Sequence, residues 1–339
     1  MIQDASPIVH CRGLTKIYDE IEALVDLDLD IPARHIFGYI GHNGAGKTTT
    51  IRILAGLLKP SRGVGRICDI DVTAGGDRIK TVVGYMPDSF GVYDQMRVWE
   101  YLDFFGAAFK MQRTKRRQRI DYVLDITEAE YMRDRFVDTL SHGMKQRVGI
   151  ARTLMHDPQV LLLDEPANGL DPNARVQMRK LLRKLADGGK TLIVSSHILP
   201  ELAAVCDSVG IIHQGRLKTY GTLQKVLGEI HHDRLMEVKT VPGASGVAEA
   251  IGGDSRASHV DTADLDQGLV RFRFRGDDAA MAELLRRLVA SGIQVVTFRE
   301  IPISLEDAYM AISGITQEEE TGGAGPAPGA GAPGGELPK

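Results

Sequence analysis

The stretch "GHNGAGKT", Gly41 to Thr48, lies between the strand-like run "HIFGYI" and the helical run "TIRILAGLL". Its spacing, G-x-x-x-x-G-K-S/T, is that of a phosphate-binding loop. Gly44 and Gly46 let the backbone curl so that successive N–H groups face a phosphate at the N-terminus of the next helix. Lys47 then reaches the β and γ phosphates, and the Thr48 hydroxyl is a ligand for Mg²⁺. The alternative, a glycine-rich turn without a ligand, is disfavoured by the flanking strand and helix.

A second stretch, "VLLLDEPANGLD" from Val160 to Asp171, places two adjacent carboxylates after four apolar residues. The apolar run predicts a strand that is buried on both faces of a parallel sheet. Either the strand reaches solvent at Asp164 and Glu165, or it ends at a metal or reaction centre. The phosphate loop favours the second interpretation, because it needs a carboxylate such as Asp164 to hold Mg²⁺. Glu165 is then placed to orient or deprotonate an attacking water.

Length and composition set broad limits on the class of protein. The 339 residues allow two domains, and the net charge of -4 gives no overall attraction to nucleic acid or anionic lipid. Three scattered cysteines, without metal-ligand spacing, fit a reducing cytoplasm. The N-terminal "MIQDASPIVH" lacks a signal-peptide pattern, and no window approaches about 18 uninterrupted apolar residues. We therefore expect that the chain does not itself cross a membrane.

The order of apolar and turn-forming segments predicts three parts. Residues 1–228 carry the phosphate loop and alternate strands with helices. Residues 229–316 suggest the order βαββαβ, close to a ferredoxin-like fold, closed by a helix at "SLEDAYMAI". This second domain has few site-like residues, so we expect an accessory or regulatory role. Residues 317–339 are mostly Gly, Ala and Pro, which predicts disorder.

With these residues in hand, positions 7 to 225 resemble the nucleotide-binding subunits of ABC transporters. "LSHGMKQR", Leu140 to Arg147, is similar to the signature motif of that family, which contacts the γ-phosphate bound by the opposite subunit. Ser141 and Gly143 match the motif. His142 replaces the usual glycine, a departure that is tolerated if its side chain points away. The resemblance implies an α/β P-loop NTPase of ABC type. Its mixed sheet is accompanied by an antiparallel β subdomain, a helical subdomain and a small α+β C-terminal domain.

Three further motifs follow the order of the family. "ANGLDP" resembles the D-loop, with Asp171 near a dimer interface, and "IVSSHIL" resembles the switch motif, with His197 as a partner of the γ-phosphate. Tyr18, in "LTKIYDEIEAL", matches the aromatic residue that stacks on adenine. The resemblance thus implies a set of nucleotide-binding residues: Tyr18, Gly41, His42, Asn43, Gly44, Ala45, Gly46, Lys47, Thr48, Thr49, Ser141, Gly143 and Asp171. It also implies that Glu165, His197 and Lys47 are catalytic and that Thr48, Asp88 and Asp164 hold Mg²⁺.

Two stretches leave alternatives open. "GYMPDSF", Gly84 to Phe90, resembles the Q-loop but carries Asp88 where glutamine is usual. Asp88 is either a ligand of the metal site or a residue that caps a turn. "KMQRTKRRQR", Lys110 to Arg119, has six positive charges in ten residues. It is either a solvated helical face or a face near the anionic inner leaflet of a membrane.

The resemblance implies an ATP-hydrolysing subunit that works as a head-to-tail dimer on separate integral membrane permease subunits. It would lie in the cytoplasm, peripheral on the inner face of the membrane, and bind no nucleic acid. The C-terminal "PISLEDAYMAISG" resembles exporters of drugs, lipids or polysaccharides. One rival is an ABC protein that acts on ribosomes or in DNA repair, whose second nucleotide domain, coiled coil or zinc cysteines are not seen here. The other is an ATP-dependent switch with negligible turnover, which Glu165 and His197 oppose and Asp88 leaves open.

Overall fold

The computed structural model describes residues 7–89, 91, 95–230, 234–241 and 246–301. Within these residues the strands form three sheets. The strands are β1 (Pro7–Tyr18), β2 (Ile21–Pro32), β3 (Ile36–Ile40), β4 (Arg62–Ile67), β5 (Ile70–Asp71), β6 (Val83–Met86), β7 (Val160–Asp164), β8 (Thr191–Ser196), β9 (Ser208–His213), β10 (Arg216–Gly221), β11 (Arg234–Thr240), β12 (Ala257–Asp261), β13 (Leu269–Phe274) and β14 (Val295–Glu300).

Helices connect the strands of all three sheets. They are α1 (Lys47–Leu54), α2 (Ile79–Val82), α3 (Val98–Ala108), α4 (Arg113–Ile126), α5 (His142–Thr153), α6 (Pro172–Asp187), α7 (Leu199–Ala203), α8 (Leu223–Ile230), α9 (Val247–Gly252) and α10 (Asp278–Ala290). Among the described residues, none of these helices combines the length and the apolar character that a membrane span requires.

The central sheet has six strands in the order β10-β9-β3-β8-β7-β6, and all are parallel except β10. Every residue of β3, β7 and β8 is buried, as the uninterrupted apolar runs predict for strands covered on both faces. Because parallel strands end at the same edge, the loops after β3, β7 and β8 lie side by side. This edge carries the phosphate loop and both predicted carboxylates.

A second, antiparallel sheet has the order β2-β1-β4-β5 and shares a core with one face of the central sheet. Strand β2 runs next to the phosphate loop, since an added Cβ at Gly46 would lie 2.7 Å from the Ala23 carbonyl oxygen. The hairpin of β1 and β2 therefore limits the space around the start of α1.

Between Val98 and Arg133 the chain forms two helices, α3 and α4, followed by a short 3-10 turn. The break occurs at Lys110, which has a left-handed backbone (φ 57°) and closes the turn through its N–H to Ala107. Two cations of the predicted basic face bind within the chain: Arg116 to Asp103, and Arg119 to Asp157 and the Leu154 carbonyl. The remaining four are exposed, which leaves both interpretations of this face open.

The third sheet, which we call the C-terminal sheet, has the antiparallel order β12-β13-β11-β14. The described elements follow the order βαββαβ, and one face of the sheet packs against α9 and α10 around Phe272 and Leu284. The predicted domain boundary after Gly228 falls inside α8, and the domain limits stay a prediction. The predicted helix "SLEDAYMAI" and the tail 317–339 lie outside the described residues.

Candidate functional site

The phosphate loop is shaped by close packing as well as by backbone conformation. Helix α1 begins at Lys47, with Gly46 as its N-cap in the left-handed region (φ 110°). At Gly41 an added Cβ would lie 2.6 Å from the Ile212 carbonyl oxygen, so only glycine fits there. Ala45 is buried and its carbonyl accepts the N–H of Gly215, which ties the turn to the end of β9. The loop thus directs the N-terminus of α1, a site suited to anions, outward.

The side chain of Lys47 is held at the base of this loop. The residue is 5% exposed, and its Nζ donates to the carbonyls of Gly41 (2.5 Å) and His42 (3.2 Å). The same Nζ lies 3.4 Å from Oε1 of Glu165. The ammonium group therefore joins the phosphate loop to the end of β7.

The two carboxylates at the end of β7 have different surroundings. Asp164 is 2% exposed, and its Oδ1 accepts a hydrogen bond from Ser195 Oγ at 2.6 Å. Ser195 Oγ in turn accepts the N–H of Glu165 at 3.0 Å. Ser195 lies opposite Asp164 in the register of β7 and β8, so it fixes the position of both acids. Sequence reasoning missed this role, for which the only signal is a hydroxyl at the end of a neighbouring apolar strand.

Glu165 combines burial with an open oxygen. Its backbone is in the left-handed region (φ 51°), which turns the chain sharply at the end of β7. Oε2 lies 2.8 Å from Nδ1 of His197, a pairing in which the imidazole donates. Oε1 is buried and accepts no hydrogen bond from any residue that the structure describes. Such an oxygen is a strong acceptor that is held ready for a further donor.

These groups surround one cavity of about 250 Å³. Its lining contains ten of the predicted site residues and one further residue, Asn168. The lining residues are His42, Asn43, Gly44, Gly46, Lys47, Thr48, Thr49, Asp88, Glu165, Asn168 and His197. Among the remaining predicted residues, Gly41 and Ala45 shape the loop, and Asp164 lies buried beside the lining. We call this cavity the phosphate pocket.

Tyr18 is not among the residues that line the phosphate pocket. It ends β1, is 41% exposed, and has the Nζ of Lys16 over its ring at 5.0 Å from the centroid. Its hairpin touches the loop through Ala23, as described above. The adenine-stacking role of Tyr18 therefore stays a prediction.

Ser141, Gly143 and Asp171 line a separate cavity of about 410 Å³, which we call the signature pocket. Ser141 caps α5 by accepting the N–H of Met144, and Asp171 caps α6 by accepting that of Ala174. The N-termini of two helices thus meet at this cavity, where their dipoles favour an anion. Within the described residues the two pockets share no lining residue.

The two departures from the family pattern meet at Asn168. The imidazole of His142 donates from Nε2 to the Asn168 carbonyl at 2.8 Å, so its side chain is engaged within the chain. The side-chain amide of Asn168 donates to Oδ1 of Asp88 at 3.3 Å. Sequence reasoning identified His142 and Asp88 as departures but did not connect them, since Asn168 belongs to a third segment.

The oxygen donors near the phosphate pocket fit the chemistry of Mg²⁺. Among the described residues there is no cluster of three or more His, Cys, Asp or Glu that forms a metal site of protein ligands alone. Mg²⁺ usually takes one or two carboxylates, with phosphates and water completing its ligands. Asp164, Asp88 and the Thr48 hydroxyl suit that arrangement, although their assignment as ligands stays a prediction.

A histidine pair lies beneath the phosphate loop. The rings of His42 and His213 meet edge to face with centroids 5.3 Å apart. Burial lowers the pKa of His213, and the neighbouring His42 lowers it further. His213 is therefore neutral near pH 7 and adds no positive charge below the loop.

The chain resembles proteins of one family. A family model described as "ABC transporter" matches residues 24–168. An uncharacterised ABC transporter ATP-binding protein of Synechocystis is 33% identical over 89% of this chain and 84% of its own length. A Nod factor export ATP-binding protein of Ralstonia nicotianae is 30% identical over 91% of this chain and 95% of its own length.

Solved structures agree with the sequence comparison. A dimeric ATP-binding cassette in a post-hydrolysis state, bound to ADP and phosphate, is 26% identical with a TM-score of 0.58. It covers 63% of this chain and 98% of that one. The predicted α/β fold class is thereby confirmed.

Proposed function

The chain belongs to the family of ABC transporter ATP-binding subunits, and we propose that it hydrolyses ATP to drive transport through separate membrane subunits. One observation carries the proposal. In the phosphate pocket, the open Oε1 of Glu165 lies beside the ammonium of Lys47 and the N-terminus of α1. A buried acceptor next to an anion-binding loop is what the activation of a water against a terminal phosphate requires.

The proposed roles follow from these contacts. The N–H groups of Gly44 to Thr49 and the ammonium of Lys47 bind the phosphates. Glu165 accepts the proton of the attacking water through Oε1. His197, whose Nδ1 donates to Glu165, lines the phosphate pocket, where its ring is placed to contact the γ-phosphate. Ser195 keeps Asp164 and Glu165 in register, so the base does not need to reorganise during the reaction.

Mg²⁺ has a supporting place in this proposal. Asp164, Thr48 and Asp88 would hold it, and when bound it neutralises charge on the β and γ phosphates. The protein groups themselves bind the phosphates, orient the water and accept its proton.

A second copy of the chain would complete the site. Ser141, Gly143 and Asp171 line the signature pocket, which is separate from the phosphate pocket of the same chain. Two helix N-termini in that pocket are suited to the γ-phosphate of an ATP bound by a partner copy. The dimeric form of the similar cassette supports a dimer. We infer that the pair is head to tail, with two ATP molecules between the subunits.

The direction of transport is inferred from a relative that matches nearly the whole chain. The similarity to a Nod factor export protein extends over most of both chains and includes the C-terminal sheet. We infer an exporter subunit, peripheral on the inner face of the membrane and attached through its permease partners. The competing interpretation, an ATP-dependent switch without turnover, predicts ATP binding but no release of phosphate.

Glu165→Gln tests the function directly. We expect phosphate release to fall by about 10²- to 10⁴-fold, because the amide cannot accept the proton of water. ATP binding should persist, and size-exclusion chromatography with Mg-ATP should show a stable dimer.

Glu201→Gln is the matched control. Glu201 is also a buried glutamate with one oxygen paired to a cation, Arg175, and one without a hydrogen bond from the described residues. Glu201 is not among the described residues that line the phosphate pocket or the signature pocket. Equal losses in both variants, or a wild-type chain that releases no phosphate, would contradict the proposed function.

A further inference from the structure

We propose that His142 is a positioning residue, which holds Asn168 so that the Asn168 amide orients Asp88 in the phosphate pocket of the same chain. The inference rests on the proposed function and extends it to contacts that join three of its motifs. The imidazole belongs to the signature pocket, whereas Asn168 and Asp88 line the phosphate pocket. His142 thus connects the two cavities of one subunit.

The first step is the contact between the ring and the backbone. Nε2 of His142 donates to the Asn168 carbonyl at 2.8 Å. The ring also packs over Gly169, where an added Cβ would lie 3.3 Å from Nε2 and where φ is +68°. Because Gly169 has a left-handed backbone, the Asn168 carbonyl before it has a fixed direction. The imidazole therefore binds a turn of defined shape.

The second step is the position of Asn168 itself. Its backbone N–H donates to the Glu165 carbonyl at 3.1 Å, and its side-chain amide donates to Asp88 Oδ1 at 3.3 Å. Asn168 is therefore bound to Glu165, to Asp88 and, through His142, to helix α5. Movement of its backbone would change the direction of its amide toward Asp88.

The third step concerns the residue type at position 142. Glycine, usual there in the family that the sequence resembles, has no side chain with which to reach Asn168. Here both departures act on the same residue, since His142 donates to its backbone and Asp88 accepts from its side chain. An ionised Asp88 only accepts hydrogen bonds, so the amide N–H of Asn168 is a donor that can set its orientation.

The experiment measures steady-state ATPase activity of the full chain and of His142→Gly. We expect kcat to fall by about fivefold while KM for ATP changes little, because Asp88 is misplaced but the phosphate loop is intact. His142→Gln, which keeps an N–H donor, should restore part of the loss. His259→Gly is the control, because His259 is an exposed histidine with a positive φ (51°) outside both pockets.

A double-mutant cycle separates positioning from general damage. In an Asp88→Ala background, His142→Gly should have no further effect on kcat, since the group that it orients is already gone. Asn168→Ala should reproduce the loss caused by His142→Gly. Additive losses of His142→Gly and Asp88→Ala would overturn the inference.

Hydrogen exchange gives a measure that does not depend on activity. In His142→Gly the amides of residues 165–171 should exchange faster than in the wild type, and in His259→Gly they should not. Unchanged exchange in His142→Gly would overturn the inference, even if kcat falls. These results leave the proposed function untouched as long as the wild type hydrolyses ATP and Glu165→Gln does not.

Discussion

In the six-stranded sheet Glu165 follows the strand β7, whereas Glu237 lies in the middle of β11 in the C-terminal sheet. Both Glu165 and Glu237 are buried. Glu165 keeps one oxygen without a hydrogen bond from the described residues, while both oxygens of Glu237 are bound by Arg271 and Arg299. The same side chain thus keeps one oxygen available to a further donor in one sheet and has both oxygens hydrogen-bonded in the other.

The difference separates two uses of a buried carboxylate. Burial alone would raise the pKa of Glu237, but the hydrogen bonds from Arg299 and Arg271 outweigh it and lower the pKa. A carboxylate enclosed in this way contributes to stability and has no oxygen left for chemistry. An open oxygen costs stability and is retained where a substrate supplies the missing donor.

The largest expected effect comes from exchanging glutamate for glutamine in each sheet. Glu165→Gln should abolish most ATPase activity with little change in Tm. Glu237→Gln should leave activity unchanged and destabilise the C-terminal sheet by about 1–2 kcal/mol, since two charge-assisted bonds are weakened. Calorimetry measures the stability of both variants, and a phosphate-release assay measures their ATPase activity.

Glu249→Gln is the control for the second variant, because Glu249 is exposed on α9. A loss of stability in Glu249→Gln equal to that in Glu237→Gln would mean that the arginine pairing does not matter. A loss of activity in Glu237→Gln would break the comparison between the sheets.

The next effect concerns acid stability of the C-terminal sheet. Asp254 is a buried carboxylate, and the Arg256 guanidinium, followed by Arg287, lowers its pKa to about 2. Because the pKa of Asp254 is lower in the folded than in the unfolded chain, its ionised carboxylate stabilises the fold above about pH 4, the pKa of an unfolded aspartate. This stabilisation is lost as the pH falls through about 2, the pKa in the folded chain. Asp254→Asn should therefore cost about 1–2 kcal/mol at pH 5.

Thermal unfolding between pH 5 and pH 2 measures this linkage. The difference in Tm between the wild type and Asp254→Asn should narrow as the pH falls from about 4 to about 2. Asp278→Asn is the control, since that carboxylate is 90% exposed beside Arg234. A difference that stays constant over this range would show that Asp254 does not carry the linkage.

A smaller effect is expected at Asp88. Asp88→Gln should raise the ATPase activity of the isolated subunit or lower its Mg²⁺ requirement, because glutamine has the longer reach and adds no charge beside Glu165. Asp88→Ala should impair both. A Mg²⁺ titration of activity across the three proteins is the measurement, and superimposable curves would mean that Asp88 only caps a turn.

The smallest effect is predicted for the C-terminal tail. Deletion of residues 321–339 should change neither ATPase activity nor Tm, because the sequence there has almost no apolar side chain to bury. A fall in Tm of several degrees would contradict the prediction of disorder. A truncation from Glu229, by contrast, should spare ATP binding and alter assembly or regulation.

Local patterns predicted much of the fold and most of the residues that line the phosphate pocket. The run "VLLLD" is β7, and the phosphate loop, Glu165 and His197 meet because parallel strands end at one edge. Single-residue events were less accessible. The break between α3 and α4 depends on the left-handed backbone of Lys110, and no glycine or proline at that position indicates it.

Contacts between distant segments were the other limit. Ser195 reaches Asp164 only through the register of β7 and β8, which apolar runs do not specify. His142 reaches Asn168 across 26 positions, at a turn that depends on the backbone of Gly169. A sequence pattern therefore identifies candidate site residues more readily than the neighbouring residues that position them.

The arrangement of the site has a consequence for selective inhibition. Lys47, Glu165 and His197 follow three adjacent strands, β3, β7 and β8, so a compound confined to them would meet residues of the motifs by which the sequence resembles the family. His142, Asn168 and Asp88 form a chain of contacts beside that edge, and two of the three differ from the family pattern. A compound that extends from the phosphate pocket toward Asn168 would reach this chain of contacts as well, and substitution of His142 would be its expected route to resistance.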